Sequence, residues 1–374
     1  MFKQIFFLLL LFCIFNACNN GTATVPVVEK QEESKEIPVL FYKKLVGKIG
    51  DQISITMDLN KINDSTLDGR YFSDTYSSPR NIHGKIQSSG EITLKEYNEN
   101  DMLSGEFIGK FTNPDIFEGT WKNSKSAQVL NFSLKVDTVN ICKVAFENLI
   151  SRNCIRADKN RQNASKNINT IDTVCSRISI NYLKIISDNS TQANTVNAEI
   201  EKAICETKDR KFNSLNDYLN SIHEEGNINL LKITELGCAI VTNDKNIISL
   251  AITRYQNDGG LNPNYSCDYH NFDITTAKKI SLDELFKPNF KEALNEIAGK
   301  IFARNSGLSA SNTTPLKLNS NFAITNSGLL FLFNPNEIGT YAAASPEIFI
   351  PYKDISDLIN PNGVLSRFIS KPNI

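Results

Sequence analysis

The sequence contains few histidines, carries almost no net charge and has no long apolar run beyond its first residues. Its 374 residues include only 3 histidines, and 40 basic residues nearly balance 41 acidic ones. A balanced charge without a basic patch argues against a nucleic acid partner. No segment after the N-terminus approaches the roughly 20 apolar residues that a membrane-spanning helix needs. These absences predict a protein that neither binds nucleic acid nor crosses a membrane with helices.

Motifs of the common catalytic and metal sites are also missing. No two cysteines have a C-x-x-C or C-x-x-x-C spacing, and no G-x-S-x-G, G-x-x-x-x-G-K or G-x-G-x-x-G motif occurs. His83 and His223 have no potential partner nearby in the sequence. Cys267, Asp268 and His270 form the one cluster of metal-ligating residue types, but Cys267 could instead form a disulfide. We therefore predict no metal, no cofactor and no catalytic residue.

The acidic residues leave one enzymatic alternative open. A glycoside hydrolase needs only two suitably spaced carboxylates, which no sequence pattern can exclude. Asp258, Asp268 and Asp273 are candidates for such a pair in the second half of the chain. We expect them to lie on solvated loops and keep an envelope glycan hydrolase as the alternative.

The N-terminus has the pattern of a lipoprotein signal. Lys3 precedes an apolar run over residues 5–15, which is about half as long as a spanning helix, and Ala17 precedes Cys18. A cation, a short apolar stretch and a small residue at the cut site are typical of export signals. We therefore predict a signal peptide over residues 1–17 and attachment of acyl chains such as palmitate to Cys18. The alternative is an ordinary secretory signal in which Cys18 has no special role.

Residues 18–38 are polar and charged, without a sustained apolar period. Such a stretch cannot bury enough surface to offset its ordering entropy, which predicts a flexible tether. Asn19 follows Cys18 at a position where aspartate would be the familiar signal for retention in the inner membrane. We therefore expect the lipid anchor in the cell envelope, with the outer membrane favoured over the inner one.

Six cysteines remain once Cys13 leaves with the signal peptide and Cys18 takes lipid. An even number in an oxidising compartment such as the periplasm permits three disulfides. Cys142 and Cys154 flank a short helical-looking segment and are the pair that we expect first. The full set of disulfide candidates is Cys142, Cys154, Cys175, Cys205, Cys238 and Cys267.

Residues 39–137 alternate between apolar and polar side chains in short runs separated by turn residues. This pattern predicts an antiparallel β meander or small barrel-like domain with one solvated face. Glycines recur beside aromatic residues and would let an aromatic ring lie across the backbone. Tyr71, Phe107, Phe111 and Trp121 could line a sugar-binding groove, although we expect them to form core. The alternating runs cover residues 53–57, 67–72, 91–97, 105–111, 117–121 and 129–136.

The rest of the chain predicts a connector and a second domain. A helical run at residues 144–150 opens a helical and polar connector over residues 138–172. Residues 173–374 mix apolar strands with helical stripes, which predicts an α+β domain with a mostly antiparallel sheet. One helical stripe is Val196, Ile200 and Ile204, and another is Leu215, Leu219 and Ile222. A capping box of Ser281 and Glu284 opens a long helix that is interrupted by Pro288. Residues 322–333 and 348–352 are predicted to close the sheet.

Two stretches of this second domain resemble a known family. Residues 255–286 contain Gly259-Gly260, an Asp-bearing strand and the turn Lys279-Ile280-Ser281-Leu282 before a helix. Residues 322–329 (FAITNSGL) and 336–343 (NEIGTYAA) resemble the signature "F-x-ϕ-T-x-x-G-ϕ … Y-E-I-x-x-Y-A". The domain is similar to the domain of unknown function at the C-terminus of the lysozyme-sensing anti-sigma factor RsiV and beside the catalytic domain of the peptidoglycan deacetylase PdaC.

The resemblance implies an α+β fold and an extracytoplasmic binding role. Asn262 stands where the family usually has histidine after Gly-Gly, and Asn336 stands where it has tyrosine. Deacetylase chemistry would need a His-x-x-x-His motif beside an aspartate pair, and that motif is absent. We therefore predict a non-catalytic envelope lipoprotein that binds cell-wall glycan or a lysozyme-like protein. The alternatives are the glycan hydrolase and a purely structural envelope protein.

Overall fold

The computed structural model describes most of the chain that follows residue 39. The predicted signal peptide, Cys18 and the tether lie outside the described residues. The side chains of residues 151–156, 173–176 and 306 are also outside that description. The described ranges are 40–76, 78–156, 173–206, 214–215, 217–218, 233–257, 261, 263–306, 316–335, 337 and 346–369.

Eight antiparallel strands form a closed barrel at the N-terminal end of the described chain. Each strand pairs with the next, and β1 also pairs with β8. All six predicted runs lie within these strands, which confirms the β-rich domain. Strands β1 and β4 contain none of the predicted runs. The strands are β1 (Phe41–Ile49), β2 (Ile53–Lys61), β3 (Thr66–Ser73), β4 (Arg80–Ile86), β5 (Glu91–Tyr97), β6 (Leu103–Asn113), β7 (Ile116–Asn123) and β8 (Val129–Val136).

The barrel interior is filled by apolar and aromatic side chains. Tyr71 and Phe107 are fully buried and Trp121 is nearly so, whereas Phe111 is partly buried at one end. The expectation that these aromatics are core is therefore confirmed for the three buried rings. A side chain at Gly109 would meet the ring of Phe132, and Gly109 is paired with Gly119. Glycine at this position lets the aromatic ring cover the backbone.

A six-stranded sheet follows the barrel and confirms the predicted α+β class. Its strand order is β14-β13-β12-β11-β10-β9, and all neighbours are antiparallel except β10 and β11. The strands are β9 (Lys143–Arg156), β10 (Thr173–Ile186), β11 (Ile233–Asp244), β12 (Ile247–Asn257), β13 (Asn264–Asp273) and β14 (Lys278–Lys279).

The helical run predicted at residues 144–150 is wrong, because this segment is part of β9. Val144 and Phe146 both pack against the core of the sheet, two residues apart as a strand requires. β9 pairs with β10 along its whole length. A short run rich in β-branched and aromatic residues has no decisive helical period, so pairing with a long neighbour determines its conformation.

Helix α1 (Ser190–Cys205) covers one face of this sheet. Val196, Ile200 and Ile204 are buried, which confirms the predicted stripe, and Asn189 caps the helix by accepting a bond from the Gln192 backbone. The second stripe is only partly described. Leu215 is buried, whereas Leu219 and Ile222 lie outside the described residues.

The C-terminal part contains a second, smaller sheet. The capping box of Ser281 and Glu284 is present, but the helix ends early and restarts beyond Pro288. The prediction that the last strands close the first sheet is wrong, since they form a separate three-stranded sheet in the order β15-β16-β17. The elements are α2 (Leu282–Leu285), α3 (Lys291–Ser306), β15 (Phe322–Ile324), β16 (Gly328–Leu332), β17 (Glu347–Pro351), α4 (Tyr352–Ile355) and a 3₁₀ helix (Val364–Arg367). Within the described ranges, no helix has the length and apolar character needed to cross a bilayer.

Asparagine side chains connect these layers by imitating a neighbouring peptide group. Asn60 on the barrel donates to the carbonyl of Ile240 at 2.9 Å and accepts from its N–H at 2.9 Å. Asn271 likewise bonds to the carbonyl of Phe322 and the N–H of Ile324, which attaches the small sheet to the large one. An amide carries one donor and one acceptor side, as a backbone peptide does. We call this set the asparagine clamps: Asn60, Asn197, Asn243, Asn271 and Asn321.

Candidate functional site

The predicted cluster Cys267-Asp268-His270 is divided by the strand that carries it. All three residues lie in β13, where successive side chains point to opposite faces. Cys267 belongs to the core cluster shared with the small sheet, whereas Asp268 is ion-paired with Arg254. Cys267 therefore points away from Asp268 and His270, and the three cannot share one ligand.

His270 is a buried, uncharged imidazole. It is 8% exposed, and neither ring nitrogen has a hydrogen-bond partner among the described residues. Burial, together with the charges of Lys279 and Arg254, lowers the pKa of His270 to about 3. The imidazole of His270 is therefore neutral in the folded protein at physiological pH. This environment gives His270 no acidic or metal partner.

The remaining candidates that the structure describes also lie apart from one another. The expectation of solvated loops is wrong for Asp268 and Asp273, because both lie in strand β13. Arg254 pairs with Asp268 at 2.8 Å, and Arg367 pairs with Asp273 at 2.7 Å, so each of these two carboxylates neutralises a cation. His83 lies on the outer surface of the barrel beside Asp68, whose hydrogen bond raises the pKa of the imidazole. Asp258 and His223 lie outside the described residues.

Four of the six disulfide candidates are buried free thiols, so the expected pair of Cys142 with Cys154 is wrong. Burial raises the pKa of Cys142 and of Cys238 to about 12 and that of Cys205 to about 11, and Cys267 is shifted in the same direction. Cys142 is held by Asn243, which bonds to both its N–H and its carbonyl at 2.8 Å. The side chains of Cys154 and Cys175 are outside the described ones.

A buried carboxylate lies at one end of the barrel interior. Glu96 is 1% exposed and accepts hydrogen bonds from Tyr71 at 2.8 Å, Trp121 at 2.7 Å and Ser104 at 2.6 Å. The hydroxyl of Tyr71 has a raised pKa because it is buried and faces Glu96. Three donors replace the water that the carboxylate loses on burial. We call Glu96 and these three donors the barrel-end cluster.

Gly105 makes this arrangement possible. A methyl group at Gly105 would lie 2.6 Å from Nε1 of Trp121 and 2.9 Å from Oε2 of Glu96. Both distances are shorter than van der Waals contact, so a side chain at this position would displace the indole or the carboxylate. The absence of a side chain at this position is thus a direct requirement of the cluster.

The outer wall of the barrel meets the large sheet through a second group of buried charges. Lys44 is 4% exposed and bridges Asp137 at 3.0 Å and Asp244 at 3.1 Å. Asp58 is fully buried and accepts a hydrogen bond from the hydroxyl of Tyr42. Burial raises the pKa of Asp58 to about 7, although Tyr42 and Lys44 oppose that change. We call these five residues the junction cluster.

The barrel also meets the small sheet through a partly buried ion pair. Arg70 on β3 contacts Glu347 on β17 at 3.3 Å, and the hydroxyl of Tyr269 donates to the same carboxylate. Burial disfavours the charged form of Glu347, but the charge of Arg70 and the bond from Tyr269 hold its pKa below the usual range. Phe72 packs on Phe349 beside this pair. Ionic and apolar contacts thus fix the small sheet against the barrel.

Most buried charges in these clusters already have partners in the fold. No three or more His, Cys, Asp or Glu side chains in the described ranges are placed to hold a metal.

Glu96 could have been found in the sequence, because it follows Ile92 and Leu94 at the inward positions of β5. Asp58 gave no such signal, since it lies at an outward position that becomes buried only when the barrel meets the sheet.

Comparison with known proteins identifies one domain of the chain. Residues 283–353 match the family described as a protein of unknown function, DUF3298. The chain is also similar to the immunogenic protein MPT64 of Mycobacterium tuberculosis and the immunogenic protein MPB64 of Mycobacterium bovis, at 29% identity over 117 residues each. That alignment covers 28% of this chain and 49% of each relative. The chain thus spans about half the length of the curated relatives it matches.

Two solved structures are similar to the chain, both of DUF3298 family members. The one from Bacteroides fragilis is 16% identical with a TM-score of 0.49, and it covers 62% of this chain and 100% of its own. The one from Pseudomonas aeruginosa is 19% identical with a TM-score of 0.47, and it covers 59% of this chain and 96% of its own. The matched residues 283–353 run from α2 to α4. The chain therefore contains a DUF3298 domain at residues 283–353.

Proposed function

We propose that this protein is a non-catalytic lipoprotein of the cell envelope whose extracytoplasmic body binds a cell-wall glycan or a lysozyme-like protein. The observation that carries this proposal is the N-terminal sequence, in which Lys3 and the apolar residues 5–15 lead to Ala17 and Cys18. Acyl chains contribute about 0.8 kcal/mol per buried CH₂, so several of them anchor a folded body stably. Asn19 after the lipidated cysteine favours the outer membrane in a cell with two membranes.

The ligand class is supported by the resemblance of residues 255–286 and 322–343 to the domain shared by RsiV and PdaC. The non-catalytic role is supported by the partners of the buried and partly buried charges. Glu96, Glu347 and Lys44 are each held by two or more groups of the fold. Charged groups whose partners all lie within the fold have a structural role, so that recognition of a ligand is left to the surface of the body.

The hydrolase alternative has no specific support among the described residues. Asp268 and Asp273 each pair with an arginine and lie in separate ion pairs. A hydrolase would release sugars or acetate from peptidoglycan above a boiled control. A purely structural protein would show an envelope defect on deletion and no affinity for either ligand.

Replacing Cys18 with alanine is expected to release the protein from the membrane fraction. Without a thiol at this position no acyl chain can be attached, so the anchor is lost and the precursor keeps its signal. The measurement is detergent fractionation followed by the intact mass of the processed chain. Cys13→Ala is the matched control, since it changes a cysteine of the same signal and is expected to leave processing unchanged. Identical fractionation of Cys18→Ala and wild type would disprove the anchor.

The mature body is expected to be retained by peptidoglycan sacculi or by immobilised lysozyme. The test uses purified chain that begins at residue 19, so that lipid cannot cause adsorption. Bound protein is measured after washing at low and at moderate salt, which separates specific retention from screened surface charge. The heat-unfolded chain is the control. If neither support retains the folded chain above that control, the ligand proposal is wrong.

A further inference from the structure

The longest paired strands in the described part of the chain place two cysteines directly opposite each other. β9 and β10 are 14 residues each and pair antiparallel along their full length. Their register sets Cys154 opposite Cys175. The pairing ends two positions further on, where Arg156 faces Thr173. The two cysteines therefore lie close to the end of the hairpin from which residues 157–172 connect the strands.

The backbone geometry of this position suits a covalent link. Residues directly opposite in an antiparallel ladder have Cα atoms about 4.5 or 5.5 Å apart, depending on the hydrogen-bonding pattern. A disulfide spans Cα separations of roughly 4.4–6.8 Å. Both ladder distances lie within that range, so a bond between Cys154 and Cys175 requires no change of register. A shift by one residue would turn one of the two cysteines to the opposite face of the sheet.

The other cysteines do not compete for these two positions. Cys142, Cys205, Cys238 and Cys267 are all buried and free. Burial raises the pKa of each of these thiols, which disfavours the thiolate that attacks a disulfide. Cys142, which the sequence favoured as the partner of Cys154, is instead held in the core. The six cysteines that follow Cys18 thus comprise four buried thiols and one pair that is opposed in the strand register.

We propose that Cys154 and Cys175 form a disulfide that fastens the end of the β9–β10 hairpin. One S–S bond forms, the two thiols release two protons, and the two electrons reduce a disulfide oxidant by thiol–disulfide exchange. The proposal rests on the export of the proposed function, because such bonds persist in oxidising compartments. The bond fixes the register of the longest hairpin and closes the intervening segment into a loop.

Peptide mapping of the oxidised protein tests this assignment. The purified mature chain is equilibrated with glutathione and glutathione disulfide, unfolded in iodoacetamide and digested with trypsin without reductant. Cleavage after Arg152, Arg156, Lys166 and Arg177 gives peptides 153–156 and 167–177. The expected product is these two peptides joined, lighter by two hydrogen atoms than their sum, with Cys142 and Cys205 alkylated.

The glutathione buffer supplies the oxidant, so this result does not depend on where the cell places the protein. A linked peptide together with unchanged fractionation of Cys18→Ala would support the disulfide and disprove the lipid anchor. Cys142→Ser is the matched control and is expected to leave the linked peptide unchanged, whereas Cys154→Ser should render Cys175 open to alkylation. Alkylation of both cysteines in the wild type, or a link from Cys154 to any other cysteine, would overturn the proposal.

Discussion

Replacing Asp58 with asparagine is expected to stabilise the protein by about 2–4 kcal/mol at pH 8 and to flatten its stability profile between pH 4 and 7. Asp58 is fully buried, one of its carboxylate oxygens has no partner among the described residues, and burial raises its pKa to about 7. Asparagine has the same shape without the charge and can still accept the bond from Tyr42. Chemical unfolding in urea at several pH values measures both effects.

The direction of this pH dependence follows from the pKa values of Asp58 in the folded and in the unfolded chain. The folded value is about 7 and the ordinary value, which applies to the unfolded chain, is 3.8. Between them the folded protein holds a proton that the unfolded chain releases. The free energy of unfolding of the wild type therefore falls as the pH rises through this window, at up to about 1.4 kcal/mol per pH unit. The variant lacks this contribution.

Asp137→Asn is the matched control for Asp58→Asn. Asp137 is ion-paired with Lys44, whose charge also acts on Asp58. The pKa of Asp137 is lowered, because its own burial acts in the opposite direction and is outweighed by the bonds from Val139 and Lys44. Removing its charge is expected to destabilise the protein above the ordinary pKa of the carboxyl, and that loss should disappear in acid. A result in which Asp58→Asn is less stable than wild type at pH 8, with the same pH slope, would contradict the role given to burial.

Gly105→Ala is expected to destabilise the protein by about 2–4 kcal/mol, because the added methyl group separates Trp121 from Glu96. The carboxylate would then lose one of three donors while staying buried. Trp121 is the only tryptophan in the sequence, so its fluorescence reports on this cluster directly. We expect a lower urea midpoint and an emission shift to longer wavelength as the indole loses its fixed position.

Gly299→Ala provides the matched control in a different environment. Gly299 lies in α3, and a methyl group there would come no closer than 3.9 Å to Leu316. The same substitution is expected to stabilise the helix by about 0.5–1 kcal/mol, with the tryptophan emission unchanged. If Gly105→Ala unfolds at the wild-type midpoint with wild-type emission, then Gly105 is not a requirement of the barrel-end cluster.

The sequence alone predicts those elements in which the spacing of apolar residues fits only one type of secondary structure. The alternation of β5 to β8 and the stripe of Val196, Ile200 and Ile204 each identify one buried face without any knowledge of the partner. The segment at 144–150 was misjudged because seven residues with Val, Phe and Ile fit either period. Its conformation is decided by β10, which follows it by more than sixteen residues. Pairing with a strand so distant in the sequence produces no pattern within the segment itself.

The buried polar clusters were harder to predict than the fold. Glu96 is recognisable as a charge at an inward position, but its donors Tyr71 and Trp121 come from strands that only the closed barrel brings together. Asp58 and Arg70 look like ordinary surface residues until the second half of the chain covers them. Charges that become buried between two layers therefore need the tertiary arrangement before they can be recognised.

The asparagine clamps make this fold sensitive to a change of a single atom. Deamidation, or a codon change to aspartate, replaces a donating amide nitrogen with an accepting oxygen. At Asn60 that oxygen would face the carbonyl of Ile240, and at Asn271 it would face the carbonyl of Phe322. Two lone pairs would then oppose each other where water cannot enter. A substitution that protein alignments score as conservative would thus loosen the attachment between whole layers.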